Sequence, residues 1–222
     1  MAQRSANDIA QNPELKQAAI SMGRQVYAVR CATCHGDDLK GSSERHTPDL
    51  TDMPTLHGGD DVESGGLLLS AADYEKTIRF GIRSGHAQGR DAASMPAYGP
   101  DGSAVYNQLL TAADIGDVTE YVLQLSKQGH DAQAAKRGEQ VFLYKGACYD
   151  CHGVGGIGDP TLGATDFSHA LFLHGADRAA IRNSIQQGVS GSCPAFDGKL
   201  SDAQIRATAV YLYSVAPPFQ FE

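Results

Sequence analysis

The chain has 222 residues, 41% of them apolar and 20% charged, with 25 glycines and no tryptophan, a length that allows one large domain or two small ones. Its 18 Lys and Arg against 26 Asp and Glu give a formal charge of -8, which argues against nucleic acid as a partner and suits a protein surface presenting Lys and Arg. No apolar stretch approaches the roughly 18 to 20 residues that cross a bilayer, and the polar start Met1-Ala2-Gln3-Arg4 is no signal peptide, so the chain reads as a mature or trimmed form.

Apolar residues at Leu15, Ala18, Ala19, Met22 and Val26 predict a helix over 14–29 with one buried stripe. It leads into Cys31-Ala32-Thr33-Cys34-His35, the C-x-x-C-H pattern of covalent haem attachment. In that chemistry two thiols add across the haem vinyl groups, and the adjacent histidine is held beneath the iron as its proximal ligand. A single copy would also suit a redox dithiol or half of a zinc site. A short helix is predicted from Ser70 or Asp73 to Phe80. Beyond a glycine-rich loop, Met95-Pro96-Ala97-Tyr98 offers a thioether where a second axial ligand is expected, with Met53 and His86 as competitors. Thr111 reads as the N-cap of a helix to Leu125, with Ile115, Val118, Val122 and Leu125 on one face.

After the polar stretch 126–134 the pattern starts again. A helix is predicted over 134–143, then comes Cys148-Tyr149-Asp150-Cys151-His152, then a helix from about Asp177 to Gln187 and a Ser201-capped helix to Val215. The copies are offset by 117 residues at the cysteine pairs, 107 at Ile78/Ile185, 98 at Met95/Cys193 and 90 at Tyr121/Tyr211, which puts extra surface loops near 61–73 and 83–94 of the first copy. The expected architecture is all-α, with domains at 10–126 and 134–216. Two copies of the motif make the cofactor reading two haem c groups, covalently attached at Cys31 and Cys34 and at Cys148 and Cys151, with His35 and His152 as proximal ligands.

The copies differ above the iron. The second contains no methionine, and Cys193 stands where Met95 stands in the first. A cysteine over ferric iron loses its proton and, as a thiolate, stabilises the ferric state. His169, His174 and an open site are the other readings of that position.

Asn12-Pro13-Glu14-Leu15, Gly23 to Tyr27, Cys31 to Gly36, Asp49-Leu50-Thr51-Asp52, Leu56-His57-Gly58-Gly59, Gly81, Met95-Pro96-Ala97-Tyr98 and Tyr121-Val122 resemble the two-haem cytochrome subunit of cbb3-type haem-copper oxidases. The resemblance implies tandem class I cytochrome c domains that pass electrons toward an oxygen-reducing subunit, with His35 paired to Met95 and His152 to Cys193. The departures are the absence of the family's N-terminal membrane helix, Leu56-His57 and Leu173-His174 in place of a tryptophan-leucine-tyrosine run, and cysteine at the second distal position. The expected function is a single-electron relay between a redox protein donor and acceptor, a haem-copper oxidase or another respiratory enzyme. Its expected place is the periplasm, or the periplasmic face of the membrane if an anchor preceded this chain. The alternative is a sulfur-compound oxidoreductase similar to two-haem thiosulfate dehydrogenases, with Arg178 and Arg182 facing an anionic substrate.

Overall fold

In the computed structural model, residues 4–42, 44–51, 70–90, 94–100, 102, 109–159, 161–168 and 172–216 are described, and among them the chain is helical, with isolated bridges in place of strands. Outside the two cysteine motifs, each α-helix begins where a polar side chain satisfies free backbone N–H groups. A short helix, α1 (Ala6–Gln11), precedes α2 (Pro13–Arg30), which Asn12 caps by accepting from Leu15 N at 3.0 Å, with Pro13 in the first turn. The turn α3 (Ala32–His35) carries the first cysteine motif. Ser70, Thr111 and Ser201 form capping boxes at the starts of α4 (Ala71–Phe80), α5 (Ala112–Leu125) and α9 (Asp202–Val215). Asp131 caps α6 (Ala132–Gln140), which continues as a π-helical turn, Val141–Lys145. The second motif forms α7 (Tyr149–His152), and Asp177 caps α8 (Arg178–Gln187).

The sequence repeats and the compact units do not coincide. One unit comprises Met1–Ala92 with Gly191–Glu222, the other Ala93–Ser190. In the first, α9 lies against α2 and α4, and α1 closes over them with Ala6 and Ile9 fully buried. Gly23 is what lets α2 and α9 approach: a Cβ there would stand 2.2 Å from the Ala207 carbonyl oxygen. Tyr27 meets Tyr211 edge to face, centroids 5.9 Å apart.

The second unit repeats this geometry with the partners exchanged. Here α5 packs on α6 and α8. A Cβ on Gly138 would lie 2.0 Å from the Asp117 carbonyl oxygen, and Phe142 meets Tyr121 edge to face at 5.3 Å. The expected domains at 10–126 and 134–216 would have put α5 on α2. What places α5 on α6 instead is the connection between them, residues 126–131, so short that the helices it joins become antiparallel neighbours.

Other expectations shift locally. The stretch read as a surface loop over 83–94 contains Arg90, only 6% exposed, whose guanidinium donates to Thr77 Oγ1 at 2.9 Å and lies 3.5 Å from Asp73, so that the loop is tied onto α4. Gly138 is two residues further from its cysteine motif than Gly23 is from its own, and the π-helical turn is where that longer segment departs from α-helix.

Candidate haem sites

Both cysteine motifs are built alike. The helix before each motif runs straight into it, Cys31 N donating to Tyr27 O at 2.8 Å and Cys148 N to Phe142 O at 2.9 Å. The loop after each folds back on its histidine: Gly41 N donates to His35 O and Gly158 N to His152 O, both at 2.9 Å. In the first site Tyr27 Oη donates to Gly36 O at 2.6 Å, and Thr47 Oγ1 to Cys34 O at 2.7 Å. These bonds fix the two cysteines and the histidine on one rigid turn.

Burial holds both imidazoles below the ordinary histidine pKa and favours the neutral ring, the form that binds a metal. His152 Nδ1 lies 3.1 Å from the Thr165 carbonyl oxygen, which fixes that nitrogen as the N–H and leaves Nε2 for a ligand bond. His35 Nδ1 is buried without a partner inside hydrogen-bond geometry, although the equivalent carbonyl, that of Pro48, is close enough to ease the downward shift. Burial also pushes Cys31 up to about 11 and Cys148 up to about 12, thiols kept protonated and apolar in their surroundings.

His152 opens onto a cleft in the second unit, lined mainly by apolar side chains that include Phe167, Phe172, Ile181 and Ile185. Its ring stacks on Phe167, centroids 4.6 Å apart at 23°. Met95 lines the same cleft, and so does His174. In the first unit the sulfur residue near the cysteine pair is Cys193: burial and then Cys34 raise its pKa to about 11, and it in turn adds to what raises Cys31. Phe196, three residues on, packs into the core that Cys31 and Ala32 adjoin. The structure therefore brings Met95 to the cleft of His152 and Cys193 to the Cys31/Cys34 pair, whereas the resemblance implied Met95 with His35 and Cys193 with His152. His86 is engaged elsewhere: its ring stacks on Phe80 at 4.9 Å, and its Nδ1 accepts from Gln88 N at 3.0 Å. Met53, His57 and His169 lie outside the described residues.

A family model for "Cytochrome C oxidase, cbb3-type, subunit III" matches residues 133–212, and one for "Cytochrome c" matches 20–126. The cbb3-type cytochrome c oxidase subunit FixP of Bradyrhizobium sp. (strain ORS 278) is 33% identical over 219 residues, which cover 97% of this chain and 67% of that protein. FixP of Bradyrhizobium diazoefficiens is 34% identical over 215 residues, covering 95% and 66%, and the subunit CcoP of Azospirillum sp. (strain B510) is 33% identical over 227, covering 97% and 68%. The chain belongs to the FixP/CcoP family of cbb3-type oxidase subunits.

The two matched regions follow the repeats, not the compact units, so each FixP/CcoP-type cytochrome c region spreads over both units. The chain spans 66% of the length of the Bradyrhizobium diazoefficiens FixP. Two cytochrome c regions carry two covalently bound c-type haems, and each region contains one C-x-x-C-H. The residues fit such groups: a buried neutral imidazole follows each cysteine pair, and that of His152 opens onto an apolar cleft that Met95 also lines. Among the described residues, no helix is long and apolar enough to cross a membrane.

Proposed function

We propose that this chain relays single electrons between a redox donor and acceptor of a respiratory chain on the periplasmic side, a haem-copper oxidase being the acceptor that its relatives' names suggest. The haems are attached at Cys31/Cys34 and Cys148/Cys151, with His35 and His152 as proximal ligands and Met95 and Cys193 as the distal sulfur ligands. The observation that carries this reading is the repeated site: a buried neutral imidazole that follows each cysteine pair, with a sulfur residue near it. A haem so held supplies a reversible one-electron couple at its iron, and the ligands and their surroundings set its potential.

The chain's residues orient the ring and keep water off it. Thr165 O holds the His152 ring in one tautomer, and the Phe167 and Phe172 side chains occupy space that water would otherwise enter. The charge of -8 suits encounters with a basic partner face, steered by charge and weakened by salt. The sulfur-oxidoreductase alternative draws no support from Arg178, whose guanidinium is committed to Glu120 at 2.5 Å and to the Gly129 carbonyl at 3.1 Å.

With one thioether and one thiolate, the two centres are expected to titrate as separate one-electron waves, on the order of 300 mV apart. Spectroelectrochemistry checks this, and coincident waves would contradict the unlike-ligand reading. Rapid electron exchange with an oxidase or a second cytochrome, without steady-state turnover of thiosulfate or tetrathionate, separates the relay from the enzyme.

A further inference from the structure

We infer that a soluble redox partner docks on the turn around the second cysteine motif, with Tyr149, Val154 and Ile157 at the centre of the contact, and that the partner's own face is an apolar patch ringed by Lys and Arg. This rests on the relay reading of the chain. The two attachment turns share one backbone. Leu39 N donates to Gly36 O at 3.3 Å, Gly41 N to His35 O at 2.9 Å and Leu50 N to Leu39 O at 2.8 Å. At the matching positions, Gly156 N donates to Gly153 O at 3.0 Å, Gly158 N to His152 O at 2.9 Å and Phe167 N to Gly156 O at 2.8 Å. Even the left-handed residue recurs, at φ +66° in Leu39 and +72° in Gly156. What differs is the side chains. Asp37 and Lys40 of the first turn stand where Val154 and Ile157 stand in the second, all four exposed, and Ala32 stands where Tyr149 does.

Val154 is 72% exposed and Ile157 65%, and with Tyr144 and Tyr149 they make four of the seven exposed large apolar side chains among the described residues. Single exposed apolar residues are ordinary, but a group gathered at one feature marks a contact surface. The turn holds them outward: the Ile157 side chain rests on Gly153, whose missing Cβ would stand 2.9 Å from Ile157 Cγ1. Charge names the partner. Between Lys145 and Arg178 the chain has Asp150, Asp159, Asp166 and Asp177 and no Lys or Arg, and Lys145 itself pairs with Asp114 at 2.5 Å. An apolar centre with acidic groups around it is met by an apolar patch in a basic ring. The first turn is a poorer seat. Asp37, Asp38 and Lys40 would have to give up water on contact, and Arg45, which donates to Thr33 O at 2.8 Å, sets a cation on the motif itself. Tyr149 lies between Cys148 and Cys151, so a partner that covers it sits over the turn to which the second haem is attached, and that haem is the one that exchanges electrons with it.

The test uses the full chain with both haems attached and, as probe, a soluble lysine-rich monohaem cytochrome c, with electron exchange followed by stopped-flow absorbance. Val154→Asp/Ile157→Lys gives the second turn the residues that the first already carries on the same backbone. It is expected to lower the second-order rate constant about tenfold, with both midpoint potentials unchanged. Val29→Asp, at an apolar residue of α2 that is 72% exposed, is the control and should change the rate by less than about twofold. Asp150→Asn should lower the rate about threefold at low salt and flatten its fall with ionic strength. Exchange as fast in the double variant as in the parent, or an equal loss in Val29→Asp, overturns the docking site and leaves the relay intact. Absence of exchange in the parent overturns both. A parent dimer that the double variant dissociates, or parent bound to anionic lipid vesicles and released by the double variant, also overturns the site, because the patch then serves a second copy or a membrane. Should the double variant fail to fold, carbodiimide cross-linking of the parent decides. Links from the probe's lysines to Asp150 are expected, and links to Asp37 and Asp38 in their place overturn the assignment.

Discussion

Replacing Cys193 by Met is expected to raise the lower midpoint potential by on the order of 300 mV, within the roughly 0.8 V that axial ligation can span, and to move the other by no more than a few tens of mV. A thiolate brings a full negative charge against the iron and favours Fe(III), whereas a thioether is neutral and favours Fe(II). The substitution makes the distal position of the first unit match that of the second, where the chain already accommodates Met95 at the equivalent place. Its backbone needs nothing new, because the pairing of residue 193 with Ile82 uses main-chain groups alone. Spectroelectrochemical titration of both forms checks the shift. Unchanged potentials, with the ferric EPR spectrum also unchanged, would mean that Cys193 does not bind iron.

The largest effect on stability is expected at Gly138. Valine there should destabilise the second unit by about 3 kcal/mol, because the new Cβ meets backbone that cannot rotate away. The Asp117 carbonyl carbon would lie at 2.5 Å and Val118 Cα at 2.9 Å. The short 126–131 connection keeps α5 and α6 from separating, and Arg137 clamps Asp117 through two bonds of 2.8 and 2.6 Å. Gly116, also on α5, is the control. Nothing lies within 4 Å of its Cβ position, so Gly116→Ala should stabilise by about 0.5–1 kcal/mol through helix propensity alone. Thermal unfolding followed by far-UV circular dichroism distinguishes the two, and a Gly138→Val protein as stable as the parent would mean that the close α5–α6 packing is absent.

These expectations depend on features that differ in how far the sequence announced them. The haem-attachment turns were fully legible, since C-x-x-C-H constrains chemistry and geometry at once. So were the starts of α5 and α9, where Thr111 and Ser201 are capping residues followed three positions later by Asp114 and Gln204. Helix partners were not legible. An apolar stripe tells that a face is buried but not against what, and in a repeat α5 and α9 present equivalent faces to α2 and α6. The resemblance pairs Met95 with His35, whereas the six-residue connection at 126–131 turns α5 toward α6. Arg90 is illegible for a different reason. In a glycine- and serine-rich stretch an arginine reads as solvated, and only the tertiary fold supplies Thr77 and Asp73 as its partners.

The central claim is that each C-x-x-C-H carries its own covalent haem. Protein matured in a host competent for c-type cytochromes, analysed by intact mass and by pyridine haemochrome absorbance, should carry two haems per chain that survive acid-acetone extraction. A mass increment of one haem or none, or pigment lost to the extract, would contradict the account.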